Sequence, residues 1–203
     1  MTGYFVADLF CSAGGAAMGI YRAFVAAGLD VVITGYDVAP QPRYPSYHDA
    51  PYAGSFRFVQ TDALTVDLSD FDALWASPPC QAEAITKHLH GNGLRYPKLI
   101  APTRDMLEAI GLPYIIENVP GSSLRDFVVL CGLSFGLPIY RHRWFESNYM
   151  LMGTPCLGHR LPTTSHFRPL RNAPIVTVAG HNFSVAQGRR AMGIDWMTRY
   201  ELT

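Results

Sequence analysis

Cys80 follows two prolines in Ser77-Pro78-Pro79-Cys80-Gln81, at the end of the apolar run Phe71 to Ala76. A cysteine is ordinarily a small buried hydrophobe. The end of a strand is a poor place for a core residue, however, and Pro78 and Pro79 restrict the backbone so that the thiol is held in one direction. Such a thiol is a candidate nucleophile. Downstream, the run Pro113 to Ile116 ends in Glu117-Asn118-Val119, a carboxyl able to move a proton beside an amide able to brace a loop. Arg141-His142-Arg143 adds a basic triplet. Alone, Glu117 reads as a surface acid and the two arginines as a solvated basic strand; with Cys80 upstream, each gains a chemical role.

A second group of residues has the character of a nucleotide-like site. Asp8-Leu9-Phe10-Cys11-Ser12-Ala13-Gly14-Gly15 is a turn between an apolar run and a helix-forming segment, where backbone can approach a ligand at a helix N-terminus. Asp37, one strand later, is placed to accept hydrogen bonds from ribose hydroxyls. Asp62, after the third strand, could do the same for an adenine amino group. Each signal is weak singly, because a glycine turn is often only a turn and an acid after a strand is often a helix cap. Spaced through three successive strands, they imply an adenosyl cofactor.

The elements that must position these groups alternate. Apolar runs at residues 4–10, 31–36, 56–60, 71–76 and 113–116 predict strands, with 175–179 as a later one; 16–27, 103–110 and 191–200 predict helices. Polar or reactive residues follow the carboxyl ends of the runs, where open α/β sheets bind ligands. The pattern predicts an α/β chain with a Rossmann-like, doubly wound, mostly parallel sheet. Residues 147–173, rich in Pro, Thr, His and Arg, break the pattern and read as an insertion, leaving 1–146 and 174–203 as one discontinuous catalytic domain. There is no internal repeat.

At 203 residues the chain suits one domain with a full core. No apolar run is long enough to span a bilayer and no signal-type leader is present, so a cytoplasmic protein is expected. The four cysteines form no CxxC pair and are too few for a disulfide framework. Cys156-x-x-His159, with His166 nearby, lacks a recognisable second ligand pair, so no metal is expected. The net charge is zero, yet residues 141–203 hold eight arginines against three acids, whereas 1–140 hold eight Lys/Arg against thirteen. A basic last third suits a polyanionic partner.

The ordered segments Asp8 to Gly15, Pro79-Cys80-Gln81, Glu117-Asn118-Val119 and Arg141-His142-Arg143 resemble the DNA cytosine-5 methyltransferase family. The tract Cys131 to Phe145 looks like the compact versions found in bacteriophage genomes, which would place the protein in a bacterial host's cytoplasm. The resemblance runs from about residue 4 to the C-terminus, leaving out the insertion. It implies S-adenosylmethionine as donor, double-stranded DNA as partner, and Cys80 attacking carbon 6 of a flipped-out cytosine. Glu117 would hold or protonate N3 and the exocyclic amine, Asn118 would brace the loop, Pro79 would orient the thiol, and Arg143 would contact O2. Asp8, Phe10, Ser12, Gly14, Gly15, Asp37, Asp62 and Pro78 would line the donor pocket.

DNA contacts follow the same resemblance. The segment 82–97, with Lys87 and Arg95, would be the loop that closes over DNA, and Gln81 and Arg141 would lie close to the duplex. Residues 147–173 would be a reduced target-recognition region, with Arg160, Arg168 and Arg171 available for guanine edges or phosphates. Two features depart from the family pattern. Ser12 stands where glycine is usual, and relatives continue past Thr203 into a motif lining the donor pocket; the alternatives are a truncated sequence, a second copy or partner that completes the pocket, or weak donor binding. The rival readings are the same chemistry on RNA or single strands, a catalytically weak DNA-binding relative, and a thiol enzyme built on Cys80.

Overall fold

The computed structural model describes residues 3–45, 54–82, 97–156, 158–163, 174–178 and 183–202. Among these residues seven strands form: Tyr4–Leu9 (β1), Val31–Asp37 (β2), Phe56–Gln60 (β3), Ala73–Ala76 (β4), Tyr114–Asn118 (β5), Val128–Cys131 (β6) and His142–Ser147 (β7). Their order is β3-β2-β1-β4-β5-β7-β6. The first five run parallel, and β7 is antiparallel to β5. The chain therefore winds away from β1 in both directions, as a doubly wound sheet does. Central parallel strands are covered on both faces, which is why Val6, Ala7, Asp8 and Leu9 are all buried in succession.

The helices are Gly15–Ala26 (α1), Ile100–Ile110 (α2), Val185–Met192 (α3) and Arg199–Leu202 (α4). α1 gives way at Gly28 and α2 at Gly111, both left-handed, a conformation that glycine adopts without strain. α2 begins a turn earlier than the predicted 103–110 because Pro102 lies in its first turn, where a missing N–H costs nothing. One core joins Ala7 and Leu9 of β1, Leu74 and Ala76 of β4, Tyr114 and Ile116 of β5, and Ile100 and Leu107 of α2.

The chain forms two compact units: Met1–Phe127 with Trp144–Leu151, and Val128–Arg143 with Met152–Thr203. In the first, β1 to β5 build the sheet around α1 and α2. In the second, the segment from β6 to the start of β7 accompanies 152–163, α3 and α4.

Two predicted elements are corrected. The strand at 175–179 is reduced, among the described residues, to isolated bridges of Ile175 with Thr163 and Val176 with Ile139. The single helix at 191–200 is two helices, because Gly193 (φ 65°) ends α3. α3 starts in a capping box in which Ser184 and Gln187 bond each other's backbone N–H. A second short helix follows once Glu201 accepts from the N–H of Thr198. Among the described residues, no helix is long and apolar enough to cross a membrane.

Candidate active site at the carboxyl edge of the sheet

Because β3, β2, β1, β4 and β5 are parallel and adjacent in that order, the residues at their carboxyl ends fall into one row along a single edge. From one end the row reads Asp62, Asp37, the turn Phe10 to Gly14, the Ser77 to Cys80 segment, and Glu117 with Asn118. Backbone bonds tie neighbours together: Thr61 N–H to the Asp37 carbonyl (2.9 Å), Cys11 N–H to the Tyr36 carbonyl (3.1 Å), and Ser77 N–H to the Leu9 carbonyl (3.0 Å).

On the β1–β2 side, the turn is built from left-handed residues, Phe10 (φ 57°), Ser12 (φ 46°) and Gly14 (φ 78°). Ser12 is exposed, so its side chain points outward rather than into the turn. Its N–H donates to Asp37 Oδ2 at 3.0 Å, and the Ala39 N–H donates to Oδ1 at 2.9 Å. Asp37 is thus fixed in orientation and keeps further lone pairs for a ligand. Asp62 is exposed and accepts from the Leu64 N–H at 3.0 Å, the local turn its position allows.

Three residues expected to line the donor pocket have side-chain faces set against protein. Asp8 is fully buried, and neither carboxyl oxygen has a hydrogen-bond partner among the described residues. Burial pushes its pKa up to about 8, with the nearby Ala17 amide pulling it partly back and Asp37 raising it further. Gly14 offers no room to a ligand on its side-chain face, because a Cβ there would lie 2.4 Å from Pro45 Cδ and 3.0 Å from the buried Tyr44 ring. Phe10 packs in part against the hydrophobic core. Burial also pushes the Cys11 thiol and the Tyr44 hydroxyl up, keeping both protonated. Gly15 is the first residue of α1.

On the β4–β5 side, Cys80 is a free, half-buried thiol and Gln81 beside it is exposed. Asn118, almost fully buried, donates from Nδ2 to the Pro78 carbonyl at 2.8 Å, and its Oδ1 accepts the Val119 N–H at 2.9 Å. β5 runs through Glu117 and Asn118 because β7 pairs with it, Glu117 opposite Phe145 and Asn118 opposite Trp144. Glu117 is half-buried, on the strand face opposite to the core residues Tyr114 and Ile116. Trp75 donates from its indole to Ser77 Oγ (2.8 Å) and meets Phe145 edge-on.

The sequence reading missed the support behind this edge. Arg104 of α2 and Glu146 of β7 form a buried bidentate ion pair, Nε to Oε1 and Nη2 to Oε2, the second at 2.7 Å. Arg104 Nη2 also donates to the Ser123 carbonyl (3.0 Å) and Glu146 Oε2 accepts the Arg125 N–H (2.6 Å), so the loop after Asn118 is pinned to both elements. Only the buried environment distinguishes these charges from surface ones, and no local sequence signal carries that.

In the second unit, Arg141 donates from Nη1 to the Leu202 carbonyl at 3.0 Å, at the end of α4. Arg143 donates from Nη1 to the His142 carbonyl (3.0 Å), and Arg160 is exposed. Lys87, Arg95, Arg168 and Arg171, with most of the 82–97 loop, lie outside the described residues.

No protein-family model matches the chain, and no curated protein matches it. Solved structures similar to it include the S. pombe Dnmt2 methyltransferase, 20% identical over 75% of this chain and 52% of that one, with a TM-score of 0.48; this chain thus spans about half that protein's length. An RNA methyltransferase from Salinibacter ruber in complex with S-adenosyl-L-homocysteine is similar at 14% identity, 71% and 80% coverage and a TM-score of 0.40. A putative ribosomal RNA methyltransferase from Plasmodium falciparum is similar at 15%, 73% and 88%, with a TM-score of 0.41.

Proposed function

We propose that this chain transfers a methyl group from S-adenosylmethionine to carbon 5 of cytosine in DNA, with Cys80 as the covalent nucleophile. The reading rests above all on one observation: Asn118 bonds the Pro78 carbonyl, so the Cys80 segment and the Glu117 strand end are braced together at the edge where Asp37 and Asp62 also emerge.

The donor set fits an adenosyl sulfonium. Asp37, held by two amides, suits ribose hydroxyls, and exposed Asp62 suits an adenine amino group. Two carboxylates favour a cationic nucleoside over a diphosphate. When bound, S-adenosylmethionine supplies an electrophilic methyl group for carbon 5.

The chain's own residues do the rest. Carbon 5 of cytosine is a poor nucleophile until the ring's aromaticity is broken. The Cys80 thiolate adds to carbon 6, forming an S–C bond, while Glu117 delivers a proton to N3 to take up the displaced electron pair. Carbon 5 is then enamine-like and accepts the methyl group. Loss of the carbon 5 proton to solvent base, breakage of the S–C6 bond and return of the N3 proton to Glu117 give back the thiolate, the carboxylic acid and the aromatic ring. Because the target atom is inaccessible in a stacked duplex, the base must be extruded.

The test is mass spectrometry of the protein with S-adenosylmethionine and duplex DNA carrying 5-fluorocytosine, in which carbon 5 has no removable proton and the Cys80 adduct persists. A covalent adduct is expected, absent in Cys80→Ala. Matched single-stranded DNA and RNA substrates identify the preferred polymer, and Arg143→Ala tests a contact to O2. Failure of the wild-type protein to form an adduct on any polymer across varied sequences overturns the proposal.

A further inference from the structure

Cys131, His142, Cys156 and His159 of the second unit are used by no step above, yet their four ligand atoms all lie within 4.8 Å of one another. The second ligand pair missing from the sequence reading is Cys131 with His142. Ten residues separate them in the chain, but the intervening segment closes on itself: the Gly132 N–H donates to the Arg141 carbonyl at 3.1 Å, so the end of β6 and the start of β7 are neighbours. Gly132 permits that closure, since a Cβ there would meet Ile139 at 2.4 Å. The other pair is brought in by Ser134 Oγ, which donates to the Pro155 carbonyl (3.3 Å), and by Tyr140, whose hydroxyl exchanges hydrogen bonds with the Leu161 carbonyl (2.9 Å) and N–H (2.7 Å).

The ring geometry points inward. His159 lies flat on Tyr140, with centroids 4.0 Å apart and planes 9° from parallel, and its Nε2 stands 3.4 Å from Cys131 Sγ. A metal bonded tetrahedrally to sulfur at about 2.3 Å and nitrogen at about 2.0 Å holds those two atoms about 3.5 Å apart. His142 Nε2 is buried with no hydrogen-bond partner among the described residues, which is unfavourable for a polar atom unless something fills the gap. All four cysteines are free thiols, so no disulfide competes within the cluster.

We infer that these four residues form a structural zinc site that fastens the 155–161 segment to the β6–β7 connection. Two thiolates and two imidazoles select zinc over calcium or magnesium, which take oxygen ligands, and four protein ligands leave no open position for catalysis. Binding releases the two thiol protons to solvent and leaves a neutral centre. The inference does not depend on what reaction the chain performs.

The experiment is elemental analysis of the full-length protein purified without a metal-binding tag, alongside Cys156→Ser, His159→Gln and Cys80→Ala, with circular dichroism of each. Cys156 and His159 are exposed, so their substitution leaves the packed elements intact. The wild type and Cys80→Ala are expected to hold about one zinc per chain, and the two cluster variants to lose it while remaining folded. Cobalt(II) added to chelator-treated protein is expected to give the visible bands of a tetrahedral ion and a thiolate charge-transfer band. Folded wild type that retains no zinc and takes up none when titrated with it, zinc unaffected by Cys156→Ser, or a Cys131–Cys156 disulfide in freshly purified protein would each overturn the inference.

Discussion

Asn118 Nδ2 stands 2.8 Å from the Pro78 carbonyl, joining the ends of β5 and β4 two residues before the proposed nucleophile. Asn118 is a positioning residue: it touches neither base nor donor in the proposed reaction. Replacing it with Ala leaves a buried carbonyl unpaired, at about 1–3 kcal/mol of stability. Displacing Cys80 by even about an ångström is expected to slow adduct formation on the order of 100-fold. Stopped reactions on 5-fluorocytosine DNA measure the rate, and urea denaturation the stability; an unchanged adduct rate in a folded Asn118→Ala protein would remove the bracing role.

The Arg104–Glu146 pair predicts an asymmetric response. Glu146→Gln strands a buried guanidinium and is expected to destabilise by about 3–5 kcal/mol, whereas the double change Arg104→Met with Glu146→Leu recovers most of that loss. Chemical denaturation of the single and double variants gives both numbers. A Glu146→Gln midpoint equal to wild type would show that the pair carries no stability.

Asp8 predicts a pH dependence. Its carboxyl is raised from the ordinary 3.8 to about 8 by burial. Below about pH 4 it is protonated in folded and unfolded chains alike, so it costs nothing. Between about pH 4 and 8 the unfolded chain ionises while the folded one does not, and stability falls as pH rises, by about 6 kcal/mol once pH exceeds the folded value. Asp8→Asn is expected to flatten the fall in melting temperature over that interval. A variant with the wild-type slope would assign the dependence elsewhere.

Ser12 sits at φ 46°, where an L side chain is strained by about 1–2 kcal/mol. It is exposed and bonds Asp37 through its backbone N–H, which glycine retains. Ser12→Gly is expected to stabilise the chain by about 1 kcal/mol, less the added flexibility of the unfolded state. Thermal unfolding checks this, and binding of S-adenosylmethionine by calorimetry is expected to change little. A large gain in affinity would mean that the serine crowds the donor.

The apolar runs were enough to place β1 to β5 and α1 to within a few residues, because buried parallel strands and glycine-terminated helices leave local marks. Glycine at 28, a proline pair at 78 and 79, and acids after successive strands are legible without a fold. What they could not reveal is direction and depth. Asp8 reads like Asp37 and Asp62, yet it is sealed in the core while they open at the edge, since Asp8 lies within β1, covered on both faces, whereas Asp37 ends β2 and Asp62 follows β3. Gly14 reads as space for a ligand, yet Tyr44, thirty residues on, fills that space. Residues 191–200 read as one helix until packing lets Gly193 end it. Arg104 with Glu146, and Cys131 with His142, Cys156 and His159, are far apart in the chain. Only the tertiary structure decides such meetings, because charge pairing and ligand geometry act through distance in space, which the local pattern of residue types does not encode.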